Sequence, residues 1–240
     1  VEDKEDTEQV FHIIEATKGR RSLAQARDFV RSTEGQRFLA EGVDIPAMLD
    51  DHARWADCAP NSVAAHYIAF MKREGLSAAG LVAESHRWAP PESLPRDQTQ
   101  WYFDRLRDTH DLFHVLTGYG RDALGEASVL LFTHGQSPSQ GHLLIGYAGA
   151  ANIKKMAKGT KAPVFGAVRE AHRIGKGAPP LIAQPIRQLL ERPLEDVRAE
   201  LRIPQPVKYR ECHRIWQAEG VNPHNLLASR KPAEPELLAA

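Results

Sequence analysis

The sequence predicts an all-α fold, built as a single multi-helix domain. Two patterns point to it. Apolar residues recur at helical spacing along most of the chain, and strand-type alternation is nearly absent. Glycine or proline also closes most of the periodic stretches. The 240 residues suit one domain, or at most two small ones. Apolar residues make up 42% and charged residues 26%, both near the globular average. Lys plus Arg equals Asp plus Glu at 31 each. Zero formal charge argues against general nucleic-acid binding, so no nucleic acid is expected as a partner. Cys58 and Cys212 lie far apart in no paired motif, against a disulfide scaffold or a cysteine zinc site. The start, Val1-Glu2-Asp3-Lys4-Glu5-Asp6, is acidic and unlike a signal or transit peptide. No apolar run approaches the roughly 18 residues of a spanning helix.

In chain order, residues 22–29 and 34–39 read as short helices. Residues 45–55 read as another, with Asp44 as N-cap and Pro46 in the first turn. Asn61 is the expected cap of the next helix, where Val63, Tyr67, Phe70 and Met71 share a face and Gly75 stops it. Residues 77–85 form a further short helix. Prolines at 90, 91 and 95 then force a loop after Trp88. The strongest helix spans 101–117, ended by Gly118 and Gly120. Asp122 caps a helix over 123–134, and Ser137-Pro138-Ser139 breaks the chain again. Helices over 140–158 and 163–174 follow. Residues 175–180 form a turn, then come helices over 182–191 and 193–201. The tail after Gly220 is polar and proline-punctuated and is expected to fray. The domain plan is a helical extension over 1–42, the main domain over 43–220 and the tail over 221–240.

One constellation carries chemistry: His110-Asp111-Leu112-Phe113-His114, eleven residues, then Glu126. Histidines at i and i+4 share one helical face, so both imidazoles can reach one ion. His114 lies one turn before Gly118, and Glu126 one turn after Asp122. An antiparallel helix pair joined by that short loop would bring the carboxylate level with the imidazoles. Two histidines and a carboxylate leave positions open for water or substrate. Asp111 is about 100° around the helix from His110, and either ligates directly or orients a histidine. A histidine pair of this kind is often only polar surface. Here the neighbours Leu106, Phe113, Leu116, Leu130 and Leu131 are apolar, and uncompensated polar groups in such surroundings are costly.

The run from Arg107 to Asp122, continuing to Gly125-Glu126, resembles the coenzyme Q (ubiquinone) biosynthesis protein 4 family. That family's motif is H-D-x-x-H, eleven residues, then E, and all four positions match here. Further similar pieces are Phe70-Met71-Lys72-Arg73-Glu74-Gly75-Leu76, Gly175-Lys176-Gly177-Ala178-Pro179-Pro180-Leu181 and Pro193-Leu194-Glu195-Asp196-Val197-Arg198. The likeness spans roughly residues 40–203 and leaves 1–42 without a counterpart. The chain departs from the family at Ala183-Gln184-Pro185-Ile186, where members often carry a Trp-Glu pair.

The resemblance implies a membrane-associated helical protein of the ubiquinone pathway. It implies loss of the ring carboxyl with hydroxylation at that carbon on a polyprenylated hydroxybenzoate precursor, that is, a metal-dependent oxidative decarboxylase. His110, Asp111, His114 and Glu126 are the expected metal-binding and catalytic residues. The cofactor is one divalent metal, zinc first, with iron or another divalent ion as the alternative. Arg107, Tyr119 and Arg121 flank the motif as candidate substrate-binding residues, though a solvated arginine and a packed tyrosine are the commoner roles. Expected partners are a polyprenyl phenol or quinone lipid, a membrane surface, other ubiquinone biosynthesis proteins and a second copy as homodimer. The expected location is peripheral, on the cytoplasmic face of a bacterial inner membrane or the matrix side of the mitochondrial one.

Leu143, Leu144, Tyr147, Ala148 and Ala151 form a stripe ending in Lys154, Lys155 and Lys158. That pattern fits an interfacial helix and a core helix alike. His134, His142 and His172 are read as surface or loop histidines. A helical metal phosphohydrolase is one rival, with His66, His86 and Asp196 as its nominal further ligands. A lipid-binding scaffold with a structural metal is the other.

Overall fold

The computed structural model describes residues 7–88 and 97–227. The proline loop expected over 89–95 lies outside them. The described residues form fourteen α-helices and no strand beyond an isolated bridge between Ser62 and Pro193. The all-α, single-domain expectation holds.

The helices are α1 (Thr7–Ala16), α2 (Arg20–Arg31), α3 (Thr33–Glu41), α4 (Ile45–Asp50), α5 (Val63–Glu74), α6 (Ala78–Trp88) and α7 (Gln98–Asp108). Then come α8 (His110–Thr117), α9 (Ala123–Gln136), α10 (Gln140–Met156), α11 (Val164–Gly177), α12 (Ile186–Leu190), α13 (Leu194–Glu200) and α14 (Val207–Ala218). Short polar side chains start several of them. Ser32, Asp44, Asp97 and Ser139 each accept from a backbone N–H of the first turn that has no partner within its helix.

Helix α8 is buried from Asp111 to Thr117. Helix α9 packs against α10 on one side and α11 on the other, and α14 backs α11. One main core runs from Ile45 to Leu227. A smaller cluster of Ala26, Val30, Tyr102 and Ile182 joins α2 to α7.

Several local expectations are corrected. The helix expected over 101–117 is two helices, broken at Thr109. The Thr109 hydroxyl donates to the Arg105 carbonyl at 2.9 Å, a back-bond of the kind that bends helices. The helix expected over 45–55 stops at Asp50, whose carboxylate instead accepts from Ala78 N and Ala79 N at the start of α6. The chain then turns so that Trp55 Nε1 donates to the Met48 carbonyl. The cap of α5 is Ser62, one residue beyond Asn61. Residues 175–177 close α11 rather than forming a turn. The stretch 182–191 divides at Pro185 into a 3₁₀ turn and α12. Helices α1 and α14 went unread. The tail does not fray over 221–227: Leu226 and Leu227 are 6% and 5% exposed.

Helix α10 also buries a different face from the stripe. Ile145, Gly149, Ala150 and Ile153 turn inward, Leu143 and Tyr147 are half-buried, and Leu144 is 60% exposed. No described helix is long and apolar enough to cross a membrane.

Candidate metal centre

The corner between α8 and α9 is held from several sides. Gly118 ends α8 in the left-handed conformation, φ 76°, and its N–H donates to the His114 carbonyl at 2.9 Å. The buried Arg198 guanidinium donates to the Leu116 and Val115 carbonyls, both at 2.9 Å, satisfying the exposed end of α8. Asp122 caps α9 by accepting from Leu124 N and Gly125 N. A Cβ on Gly125 would stand 1.8 Å from the Gly120 carbonyl oxygen, so only glycine lets the turn close on α9.

That corner sets Glu126 against the two histidines. Its Oε2 lies 3.6 Å from His110 Nε2 and 3.4 Å from His114 Nε2, and the two Nε2 atoms are 3.3 Å apart. Asp111 joins them: one ligand atom each from His110, Asp111 and His114 lie within 4.8 Å of one another. His114 Nδ1 stands 3.1 Å from the Tyr119 carbonyl. A carbonyl only accepts, so Nδ1 holds the proton and the neutral ring points a bare lone pair at Glu126. Histidine metal ligands are commonly oriented by such a second hydrogen bond.

These groups fit a divalent ion. Three atoms that chiefly accept face one another at 3.3–3.6 Å. In a tetrahedral site with bonds of about 2.1 Å, neighbouring ligand atoms stand about 3.4 Å apart. Without a cation, one or both imidazoles must take up protons to offset the carboxylate. Burial pulls the His114 imidazole down, but the Glu126 and Asp111 charges and the Tyr119 carbonyl outweigh it and raise its pKa. Burial likewise pushes Glu126 up, yet His114 and His110 hold its carboxyl well below the usual range. The cluster therefore wants positive charge.

The centre opens into a cavity of about 560 Å³ with a largely apolar wall. His110, Asp111 and Glu126 line it, and Val10, Phe103, Leu106, Leu130 and Ile145 supply apolar surface. The other expected site residues divide. Arg121 lines the cavity, with its Nε 3.2 Å from Glu126 Oε1. Arg107 lines it too, but its guanidinium is tied to Asp104, Asp108 and Ser85. Tyr119 is 2% exposed and is not among the lining residues; its ring packs edge-on against Tyr209. His66, His86 and Asp196 do not line the cavity.

Sequence reasoning missed the α1 wall, Phe103, Leu227 and His142, all of which line the cavity. For His142 a signal existed, since it shares a helical face with Ile145 and Gly149, both cavity-lining residues.

Fold and site together define an all-helical protein that keeps an open histidine–carboxylate centre at the side of an apolar cavity. The chain belongs to the family described as coenzyme Q (ubiquinone) biosynthesis protein Coq4, whose model matches residues 2–207. The match thus includes nearly all of the first 42 residues, for which the motif likeness had no counterpart. The mitochondrial ubiquinone biosynthesis protein COQ4 of Lachancea thermotolerans is 26% identical over 211 residues, covering 88% of this chain and 62% of its own length. The mitochondrial COQ4 homolog of Bos taurus is 26% identical over 195 residues, covering 81% of this chain and 70% of its own. This chain therefore spans under two thirds of the yeast relative. A crystal structure from Nostoc punctiforme, described as a candidate ubiquinone biosynthesis protein, shares the fold at a TM-score of 0.51 and 17% identity, over 82% of this chain and 96% of that one.

Proposed function

We propose that this chain carries out a metal-dependent oxidative decarboxylation in ubiquinone biosynthesis, exchanging the ring carboxyl of a polyprenylated hydroxybenzoate for a hydroxyl. The ring–carboxyl bond breaks with loss of carbon dioxide, a ring–hydroxyl bond forms with its oxygen from water, and dioxygen takes the two electrons and leaves as hydrogen peroxide. The observation that supports this best is the triangle of His110, His114 and Glu126 opening into an apolar cavity. His110, His114 and Glu126 would hold the ion, with Asp111 beside them. When bound, zinc would supply Lewis-acid polarisation of a ring oxygen, and iron would add oxygen chemistry.

The protein's own groups do the rest. Tyr119 fixes the His114 tautomer through its carbonyl. Arg121, at the cavity wall beside Glu126, would pair with the substrate carboxylate. Arg107 is already tied to two carboxylates and would chiefly hold α7 in place. The apolar wall would take the prenyl tail and exclude water from the ring. A membrane surface supplies such a lipid, so peripheral membrane association, contact with other ubiquinone biosynthesis proteins and dimerisation belong to this reading. A scaffold with a structural metal would need a closed ligand set. Here His110 and Glu126 both line the cavity.

Elemental analysis of the purified protein beside His114→Ala, with mass spectrometry of an organic extract, tests the reading. About one metal per chain, lost in the variant, and a co-purified polyprenyl phenol or quinone are expected. The metal-loaded protein should convert a prenylated hydroxybenzoate in air. Full conversion by metal-free His114→Ala would sink the mechanism, and hydrolysis of phosphate esters instead would return the phosphohydrolase reading.

A further inference from the structure

The cavity holds a second histidine outside the metal-ligand set. His142 lies in the first turn of α10 and lines the same cavity as His110, Asp111 and Glu126. Two features of its surroundings set it apart. Its Nδ1 is sealed from solvent and has no hydrogen-bond partner. Its backbone N–H is held by the Ser139 side chain at the start of the helix, which fixes the position of its Cα. Helix α1 closes over that turn: a Cβ on the preceding residue, Gly141, would stand 2.5 Å from Thr17 Oγ1 and 3.0 Å from Ile14 Cα. A larger residue at 141 would push α1 away, so glycine there keeps the wall shut around His142.

A buried polar atom left without a partner is unusual in a folded protein and often marks a place of use. The ring stays neutral, because burial, with added repulsion from His110 and His134, pushes its pKa down to about 4. A neutral imidazole offers one donor and one acceptor. That suits an uncharged hydroxyl better than a carboxylate, for which the proposed function names Arg121, also in the cavity wall.

We propose that His142 is a specificity-determining residue that hydrogen-bonds the phenolic hydroxyl of the substrate ring, in the cavity that His110, Asp111 and Glu126 also line. This deepens the proposed function and rests on it. Because Nδ1 is sealed as the ring stands, the imidazole would rotate to bring that nitrogen to the cavity, where the ligand would supply the partner that the protein lacks. Two rings of equal size, one with the hydroxyl and one without, would then be told apart by this residue.

The test is a binding cycle with two probes, 3-geranyl-4-hydroxybenzoate and 3-geranylbenzoate, on metal-loaded wild-type, His142→Phe and His142→Gln proteins. His142→Phe should weaken the hydroxylated probe about tenfold and leave the deoxy probe unchanged, with metal content as in wild type. His142→Gln, which keeps a hydrogen-bonding side chain, should restore most of the loss. Equal weakening of both probes, or weakening of neither, overturns the assignment. Wild-type protein that binds neither probe overturns the substrate reading itself, and this inference with it.

Discussion

Asp122 and Glu126 stand one turn apart at the start of α9, each beside histidine, in opposite chemical situations. Asp122 is saturated by the protein. It accepts from Leu124 N, Gly125 N and the Tyr209 hydroxyl, and His213 Nε2 lies 3.2 Å away. Glu126 gives one oxygen to Arg121 and turns the other to two imidazole nitrogens at the cavity. Tyr209 also accepts from Gly120 N at 2.9 Å, tying the first network to the turn that carries the second. A carboxylate whose lone pairs meet protein donors supports the fold. One that faces other acceptors is left for a cation from outside. Two carboxylates four positions apart are thus closed within the protein in one case and open to the cavity in the other.

The largest effect that sharpens this contrast is on metal. Glu126→Gln should weaken metal binding at least about 100-fold while moving the stability of the metal-free chain by less than about 1 kcal/mol. Metal titration and urea unfolding check both halves. A metal-free variant that loses several kcal/mol would place Glu126 with Asp122 as a structural group.

Asp122→Ala should act the other way, costing about 3 kcal/mol in urea unfolding of the metal-free protein. It removes a helix cap and strands the partners of a buried charge. A loss under about 1 kcal/mol would break the comparison.

Two histidine and carboxylate environments give opposite ends of a pH profile. The folded His142 pKa of about 4 lies below the unfolded value of about 6.5. Between them the unfolded chain binds more protons. Stability is therefore full above about pH 6.5 and declines towards about pH 4, by about 3 kcal/mol for the metal-free protein. His142→Phe should flatten that window. For Asp122, burial raises the carboxyl, but His213, Tyr209 and Gly125 outweigh it and hold its pKa below the ordinary 3.8. Its contribution is complete above that value and is lost only as pH falls further, through the folded pKa. A decline between pH 4 and 6.5 that Asp122→Asn abolishes and His142→Phe leaves in place would contradict this order.

The smallest expected effect joins the two regions. Tyr209→Phe leaves Gly120 N–H without its acceptor and should cost about 1 kcal/mol. By loosening the turn it should also lower metal affinity about tenfold. Unchanged affinity would show that the two networks are independent.

Much of the candidate site was legible because its geometry is local. The His110–His114 spacing needs only one helical turn, and Asp122 and Gly118 mark the ends of the two helices that bring Glu126 across. The break at Thr109 was not legible, because apolar periodicity runs through it and the cause is one hydroxyl turned back on its own helix. Tyr119 was expected at the substrate on proximity in sequence. Its carbonyl reaches His114, whereas its ring is packed against Tyr209. Helix α14 offered no motif, although its Tyr209 and His213 hold the turn from 89 and 91 residues beyond Gly120 and Asp122.

By itself the sequence determined the helical class, the caps at Asp44 and Asp122, the stops at Gly75 and Gly118, and the grouping of His110, Asp111, His114 and Glu126. Each depends on side-chain period, short capping side chains or glycine within a few residues. Only the tertiary structure decided where the cavity lies, which face of α10 is buried, and that His142 stands in the cavity wall while Tyr119 does not. Those outcomes depend on how α1, α6, α7, α9 and α10 close around a shared space. Such packing is set by contacts between residues far apart in the chain, and local spacing does not encode them.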